Sequence, residues 1–283
     1  MRPYIALLIL LPLLQTCAEP KRDCLDIQAV NFAVDADAAC SSCCEYPELR
    51  LEVQHKIVRP DSTLNLVLET GAYPDGAGNL IRFRDIRFYI SDLHLVRPDG
   101  SEILLEEKLN LRQANPGGDS IKVEVEDNFA LVTPSAVARR VLGTVKAAGA
   151  VSKVRFKLGI AAPSNLADPN SAPSGHPLAP QSNAMWAPGA GYTYNKLTYF
   201  PGISAADTIP QLLEIKTTDR LRQVELPLSA IIPEGYHLNL VLQVDYLRWL
   251  EGIDFRRDTP DQLSRKVADN SAKSFRVIQI TAQ

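Results

Sequence analysis

Histidine and methionine are the residue types in this 283-residue chain that are best suited to chemistry, and the chemistry is metal binding. His55 lies on the apolar face of an alternating run, between Val53 and Ile57. A buried imidazole there needs a hydrogen-bond partner or a metal. His176 lies in a proline-rich segment, upstream of Met185. Because imidazole nitrogen and thioether sulfur suit copper, we treat His55, His176 and Met185 as a candidate copper-ligand set. The alternative for His55 is a core histidine bonded to a backbone carbonyl or a tyrosine hydroxyl.

The two other histidines are weaker candidates. His237 shares the polar face of its run with Asn239, and we expect it to be solvated. His94 has the parity of Phe88, but Asp92 interrupts that face. No HExxH, GxSxG, glycine-rich phosphate loop or paired-carboxylate signature occurs. The sequence therefore predicts a protein that is not an enzyme.

One segment, Asn183–Lys196, concentrates large side chains among glycine and proline. It holds Met185, Trp186, Tyr192 and Tyr194, and the restricted backbone fixes the directions of these side chains. The segment either closes the protein core as a plug, with its polar tips toward water, or forms the lip of a site.

The first residues have the pattern of an export signal, which we assign to residues 1–16. Arg2 precedes the apolar run Ile5–Leu14, which is too short to span a bilayer because a span takes about 20 residues. The run is followed by Cys17, as in a bacterial lipobox. We therefore expect acylation of Cys17, a membrane contact through this lipid anchor, and a location in the periplasm or at the outer membrane and cell surface. Secretion without a lipid is the alternative.

Four further cysteines lie close together, and with residues 17–47 they form a linker and a cysteine-rich module. Cys24, Cys40, Cys43 and Cys44 allow three pairings. A bond between the adjacent Cys43 and Cys44 is strained. We expect Cys24 to pair with one of these two and Cys40 with the other, because disulfides are favoured outside the cytoplasm. A zinc site at the Cys40–Cys43 CxxC is the alternative.

Residues 48–283 have the composition and periodicity of one β-rich domain. We predict a mainly β fold, an antiparallel β-sandwich or flattened barrel with two short helices in connections. The segment Ala161–Pro188 lacks apolar periodicity, and we expect an ordered loop across one end of the sandwich. Because the net charge is −3 and no basic stripe occurs, we expect no nucleic-acid partner.

Alternating apolar residues and turn signals place the elements along the chain. Caps at Thr133-Pro134 and Thr259-Pro260 predict helices over Ser135–Ala148 and Asp261–Ala268. The predicted strands are Leu49–Ile57, Leu64–Leu68, Ile86–Val96, Ile103–Leu105, Ile121–Glu126, Val154–Ile160, Tyr192–Phe200, Leu212–Thr217, Gln223–Leu228, His237–Tyr246 and Phe275–Ile280.

Four motifs in order resemble the MbnP-like family, exported copper-binding proteins of methane-oxidising bacteria that are related to the surface copper protein MopE and include lipoproteins of the Bacteroidetes. The matching stretches are Leu51–His55, Arg84–Leu95, Val154–Ile160 with Asn165, and Met185–Leu197. The residues that carry the family motifs are Tyr89, Ser91, Trp186, Gly191 and Tyr192.

The resemblance implies a sandwich fold, a copper site on histidines, and a di-haem peroxidase partner that oxidises a tryptophan two residues before the first-strand histidine. Here Val53 stands at that position. Relatives carry a second histidine strand, where this chain has Leu212–Lys216 without histidine. Only His55 carries over from the family's ligands. A metal-free structural or interaction lipoprotein of a cell-surface complex is therefore the alternative function.

Overall fold

The computed structural model describes residues 19–114, 120–134, 139–180, 185–204 and 206–283. The predicted signal peptide and Cys17 lie outside these residues. In the part of the chain that is described, no helix combines the length and the apolar character that a membrane crossing requires.

The described residues form strands and two α-helices, numbered here in chain order. They are β1 (Arg22–Asp23), β2 (Ala38–Ala39), β3 (Glu48–Val58), β4 (Thr63–Asn65), β5 (Tyr73–Pro74), β6 (Leu80–Val96), β7 (Glu102–Ile103), β8 (Lys108–Ala114), β9 (Ser120–Glu126), β10 (Phe129–Val132), β11 (Arg140–Thr144), β12 (Gly149–Leu158), β13 (Trp186–Ala187), β14 (Gly191–Tyr192), β15 (Asn195–Phe200), β16 (Gln211–Ile215), β17 (Arg222–Ile232), β18 (Leu238–Asp245), α1 (Tyr246–Trp249), α2 (Pro260–Ser271) and β19 (Phe275–Ala282).

Two sheets face each other as a sandwich. The larger has the order β16-β15-β6-β12-β17, with β5, β7 and β10 also paired to the long central strand β6. The smaller has the order β11-β3-β18-β19, with β4 on β3. Pairing is antiparallel in both sheets except between β3 and β18, which run parallel. Neither order closes on itself among the described strands, so the predicted antiparallel sandwich is confirmed and the barrel alternative is not needed.

The main hydrophobic core lies between the two sheets. Phe88 and Ile90 of β6 contribute to it from the larger sheet, and Leu240 and Leu242 of β18 contribute from the smaller one. All four side chains are at most 1 % exposed. Full burial of one such side chain contributes about 1.5–3 kcal/mol, so this core is the principal source of stability. Trp249 of α1 packs into the same core, edge-on to Phe88.

A second cluster lies on the opposite face of the larger sheet. Tyr89 alternates with Phe88 along β6, so its ring points away from the main core. It packs with Met185 and Tyr192 and with Leu178 of the proline-rich segment. This segment therefore covers the outer face of the sheet rather than one end of the sandwich.

The cysteine-rich module folds as the sequence predicts. Disulfides join Cys24 to Cys44 and Cys40 to Cys43. This is one of the two arrangements that we expected, and the sulfurs are in disulfides rather than free thiolates for zinc.

One predicted helix is confirmed and the other is wrong. At α2, the Gln262 backbone N–H donates to the Thr259 hydroxyl and the Thr259 N–H donates to the Gln262 side chain, which closes a capping box. The helix predicted over Ser135–Ala148 is replaced by β11, which pairs with β3; residues 135–138 lie outside the described part. Gly143, with φ +154, disfavours a helix there, and the edge of β3 supplies hydrogen-bond partners.

Candidate functional site

His55, the first of the three predicted ligands, lines a cavity that neither of the other two lines. Its Nδ1 lies 2.7 Å from the hydroxyl oxygen of Tyr246, the first residue of α1. The two rings are stacked, with centroids 5.8 Å apart and planes 13° from parallel. The tyrosine-hydroxyl partner of the core-histidine alternative is therefore present, and the His55 side chain is half-buried.

Burial sets the protonation of this pair. It lowers the pKa of His55 to about 4, so the imidazole is neutral at neutral pH. It raises the pKa of Tyr246 well above its ordinary value, so the phenol stays protonated. The Nδ1 atom is the one acceptor within reach of that hydroxyl among the described residues, so the hydroxyl donates to Nδ1 and the imidazole proton sits on Nε2.

The cavity beside His55 has a volume of about 220 Å³. The Nε2 atom of His55 has no hydrogen-bond partner among the described residues. Two guanidinium groups line the same cavity, and Arg139 approaches Glu52 at 3.7 Å. The Nε atom of Arg140 is buried and has no partner among the described residues. Burial lowers the pKa of that guanidinium, and the negative charge of Asp127 only partly offsets this effect. The cavity therefore offers N–H donors and positive charge.

His176 is engaged at both ring nitrogens. Nε2–H donates to the Asp127 carboxylate at 2.8 Å, and Nδ1 accepts the Leu178 backbone N–H at 3.1 Å. The side chain is 6 % exposed, and its ring meets Phe129 edge-on with centroids 6.0 Å apart. With both nitrogens bonded, His176 fixes the proline-rich segment to the chain before β10 and has no free lone pair for a metal.

Met185 lines a different cavity, also of about 220 Å³. Its neighbours there include Tyr89, Trp186 and Tyr192, and no histidine, cysteine or acidic residue is among the residues that line this cavity. Met185 itself is 2 % exposed. The thioether therefore contributes to an aromatic cluster.

The structure brings His176 and Met185 to the outer cluster and places His55 at a separate cavity. His176 reaches that cluster through Phe129 and Leu178, whereas His55 contacts Tyr246 of the main core. Among the described histidines, cysteines and acidic residues, the one group of three whose ligand atoms converge consists of Cys40, Cys43 and Cys44. Those sulfurs are disulfide-bonded, and they do not offer thiolates.

His94 lies between two carboxylates. Its Nε2 is 3.0 Å from Glu126 and its Nδ1 is 3.7 Å from Glu102. Burial alone lowers the pKa of His94, but the Glu126 hydrogen bond and the charges of Glu126, Glu102 and Asp92 outweigh it, so the pKa is raised above 6.5. This ion pair ties β9 to β6.

His237 precedes β18 and is not freely solvated, contrary to the sequence expectation. Its side chain is 28 % exposed, and Nδ1 accepts the backbone N–H of Glu48 at 3.0 Å. That bond joins the start of β3 to the chain before β18, so the role of His237 is structural.

The motif tyrosines hold the outer cluster together. The Tyr89 hydroxyl donates to the carbonyl of Pro177 at 3.1 Å, and the Tyr192 hydroxyl donates to the carbonyl of Leu178 at 2.5 Å. Their rings meet edge-on with centroids 5.7 Å apart. Both hydroxyls are bonded to the proline-rich segment rather than directed to water, so these aromatic residues hold that segment on the sheet as a plug, and they also line the cavity beside Met185.

Other motif residues stabilise the same region through hydrogen bonds between side chains and the backbone. The Ser91 hydroxyl donates to the carbonyl of Gly159 at 2.7 Å. The Tyr192 N–H donates to the Asn165 side chain at 3.0 Å. Gly191 has φ +77, and a Cβ there would lie 2.5 Å from the Asn165 carbonyl oxygen. Three of the four motifs, those around Tyr89, Asn165 and Tyr192, thus converge on one packed unit, whereas the first motif lies in β3 of the smaller sheet.

A family comparison agrees with this convergence, because the profile of the MbnP family matches residues 46–267. The chain belongs to the MbnP family. Among solved structures, MbnP from Methylosinus trichosporium is similar at 14% sequence identity and a TM-score of 0.41, over 74% of this chain and 78% of that chain. No protein with a curated description matches the sequence. The MbnP resemblance that the motifs indicated is therefore confirmed at the level of the family.

Three residues that matter for the site were not predicted from the sequence, and none of them lies in the MbnP-family motifs. The Tyr246 hydroxyl is hydrogen-bonded to Nδ1 of His55. Arg140 places a positive charge at the cavity that His55 lines, and the Asp127 carboxylate accepts a hydrogen bond from Nε2 of His176. No local pattern signals these roles, since each depends on a pairing across the fold.

Proposed function

We propose that the protein is an exported, lipid-anchored binding protein of the MbnP family and that His55 is its copper ligand. One observation carries the proposal. His55 lines a cavity of about 220 Å³, and Tyr246 holds one of its ring nitrogens while the other has no partner among the residues that the structure describes. The non-ligating nitrogen of a metal-bound histidine donates its N–H to a fixed acceptor, and the Tyr246 oxygen lies where Nδ1–H would find that acceptor once Nε2 bound a metal.

The full ligand set drawn from the sequence does not fit copper. His176 has no free nitrogen, and Met185 lies at another cavity. Copper at Nε2 of His55 requires the imidazole proton to move to Nδ1, which then donates to the Tyr246 oxygen. Arg139 and Arg140 oppose a cation in the same cavity, and the single carboxylate that lines it, that of Glu52, offsets only one of the two positive charges. The affinity that we expect is accordingly modest, near micromolar, or about 8 kcal/mol.

Titration calorimetry tests the copper proposal. Cu(I) and Cu(II) are titrated separately into the mature protein, into a His55→Ala variant and into a His237→Ala control. Loss of binding in the first variant and its retention in the control support His55. Wild-type binding clearly weaker than about micromolar, or equal binding in all three proteins, rejects the metal proposal.

The lipid anchor and the location form a separate part of the proposal. Acylation of Cys17 would place the protein at a membrane facing the periplasm or the cell surface. Metabolic labelling with a fatty acid, compared between the wild type and Cys17→Ser, checks it. Equal label in both, or a wild type found wholly in the soluble fraction, argues for secretion without a lipid.

A metal-free interaction protein is the second candidate. Two observations favour this candidate. Both ring nitrogens of His176 are hydrogen-bonded, and two arginines line the cavity beside His55, where their positive charge disfavours a metal cation. The partner would be a protein of a surface complex, which we prefer to a di-haem peroxidase because Val53 replaces the oxidisable tryptophan. Unchanged thermal stability with copper, and a partner whose capture is weakened by substitutions in Ala161–Pro188, are the expected results. The proposal assigns no catalytic activity.

A further inference from the structure

Three buried side chains near α2 each have a polar atom that finds no hydrogen-bond partner in the described part of the chain. They are the Tyr194 hydroxyl, Asn195 Oδ1 and Arg220 Nε. These residues are 2 %, 6 % and 5 % exposed. Buried polar groups in proteins are nearly always hydrogen-bonded, so three unpartnered atoms in one place indicate a bound species.

The same three residues line one small cavity. It lies between β15, the turn that ends at Arg220, and α2, which contributes Ala268 and Ser271. Its volume is about 10 Å³. A cavity of about 10–15 Å³ on this measure holds one water molecule and nothing larger.

The donor and acceptor inventory matches a water. The Tyr194 hydroxyl and the Arg220 Nε–H are donors, and Asn195 Oδ1 is an acceptor. A water accepts two hydrogen bonds and donates one or two, so it satisfies all three atoms. About three bonds is the usual number for a buried water.

The local charge disfavours an anion, which would compete if the Asn195 amide were rotated. The Arg220 guanidinium already faces two carboxylates: it contacts Asp219, and its Nη2 lies 2.6 Å from Asp261. The nearby Arg222 is paired with Asp269 at 2.6 Å. Among the described residues that line the cavity, no positive charge is left unpaired to hold chloride.

We propose that Tyr194, Asn195 and Arg220 form an interior binding site for a single water molecule. Because Arg220 also bonds Asp261 of α2, this water joins the start of β15 to α2 through the guanidinium. The site lies apart from the His55 cavity and does not depend on copper.

Crystallography of the mature protein at about 1.5 Å resolution tests the site directly. The expected result is one spherical density peak about 2.6–3.2 Å from each of the three atoms. A crystal soaked in bromide should show no anomalous peak there. An anomalous peak, or the absence of density among the three atoms, overturns the proposal.

Tyr194→Phe gives a second readout in solution, with the exposed Tyr236→Phe as control. Removing a hydroxyl that is bonded to water should lower Tm by about 2–4 °C, whereas removing an unpartnered buried hydroxyl should leave Tm unchanged or raise it. The control should stay at the wild-type Tm. An unchanged or higher Tm in Tyr194→Phe contradicts the water site.

Discussion

The Nδ1 atom of His55 lies 2.7 Å from the hydroxyl of Tyr246, a residue 191 positions further along the chain. The parallel pairing of β3 with β18 makes this contact, because His55 is in register with Val244 and α1 begins two residues later. The bond orients the imidazole through Nδ1 and leaves Nε2 as the nitrogen of this cavity-lining side chain that could bind a ligand. Any ligand chemistry of His55 therefore depends on Tyr246.

Tyr246→Phe should separate the two roles of this bond. Loss of the hydroxyl leaves Nδ1 without its partner, which should lower the free energy of unfolding by about 1–2 kcal/mol. It should also weaken copper binding about tenfold, since the ring is no longer held. Urea unfolding and copper titration measure the two effects, with Tyr236→Phe as control. If stability falls while copper affinity is unchanged, the bond is only structural.

His55 should make stability rise with pH in the acid range. Its folded-state pKa, about 4, lies below its ordinary value of 6.5, so the unfolded chain binds more protons between these values. Stability should therefore increase from about pH 4 to 6.5 and level off above. The increase is at most about 3 kcal/mol, because one pKa unit corresponds to about 1.4 kcal/mol. Urea midpoints across this range, compared with His55→Gln, check the slope, which the variant should lose.

His94 should act in the opposite direction at higher pH. Its folded-state pKa is raised above 6.5, mainly because the Glu126 bond and neighbouring carboxylates outweigh burial. Its contribution is complete below 6.5 and is lost as pH rises through the raised value. Wild-type stability should thus decline above that pH, and His94→Gln should remove the decline. If the stability of the wild type and of His94→Gln changed with pH in the same way, His94 would not be the cause of the decline.

Much of the fold could be predicted because alternation and capping are local signals. β3, β6 and α2 follow from parity and from the Thr259–Gln262 box. The strand β11 could not be predicted, because Thr133-Pro134 has the pattern of a helix start. The segment forms a strand instead because it pairs with the edge of β3. At the candidate site, parity placed His55 on an apolar face. Its partner and the occupation of His176 depend on contacts between distant segments, which a single sequence does not show.

His176→Ala should destabilise the protein without changing copper binding. The substitution leaves the Leu178 N–H and the Asp127 carboxylate without their partner, at a cost of about 2–3 kcal/mol. Copper affinity should equal that of the wild type because neither ring nitrogen is free to bind. A loss of copper affinity at unchanged stability would instead restore His176 as a ligand.

The two disulfides should differ in their effect. In the loop-entropy account, closing the separation of 20 residues between Cys24 and Cys44 contributes about 3 kcal/mol, and the separation of 3 between Cys40 and Cys43 contributes about half as much. Each pair is replaced by serine, and the urea midpoints of the two double variants are compared. A larger loss for the Cys40–Cys43 pair would contradict the loop-entropy account.

Gly191→Ala should disrupt the plug, and Gly189→Ala provides a matched control. Both glycines have positive φ, +77 and +74, so both substitutions incur the left-handed penalty of about 1–2 kcal/mol. Only at Gly191 would the new Cβ also lie 2.5 Å from the Asn165 carbonyl oxygen, whereas Gly189 has open space. The Gly191 variant should therefore lose clearly more unfolding free energy and alter the near-UV signal of the Tyr89–Tyr192 pair. Equal losses in the two variants would show that the contact with Asn165 does not constrain the plug.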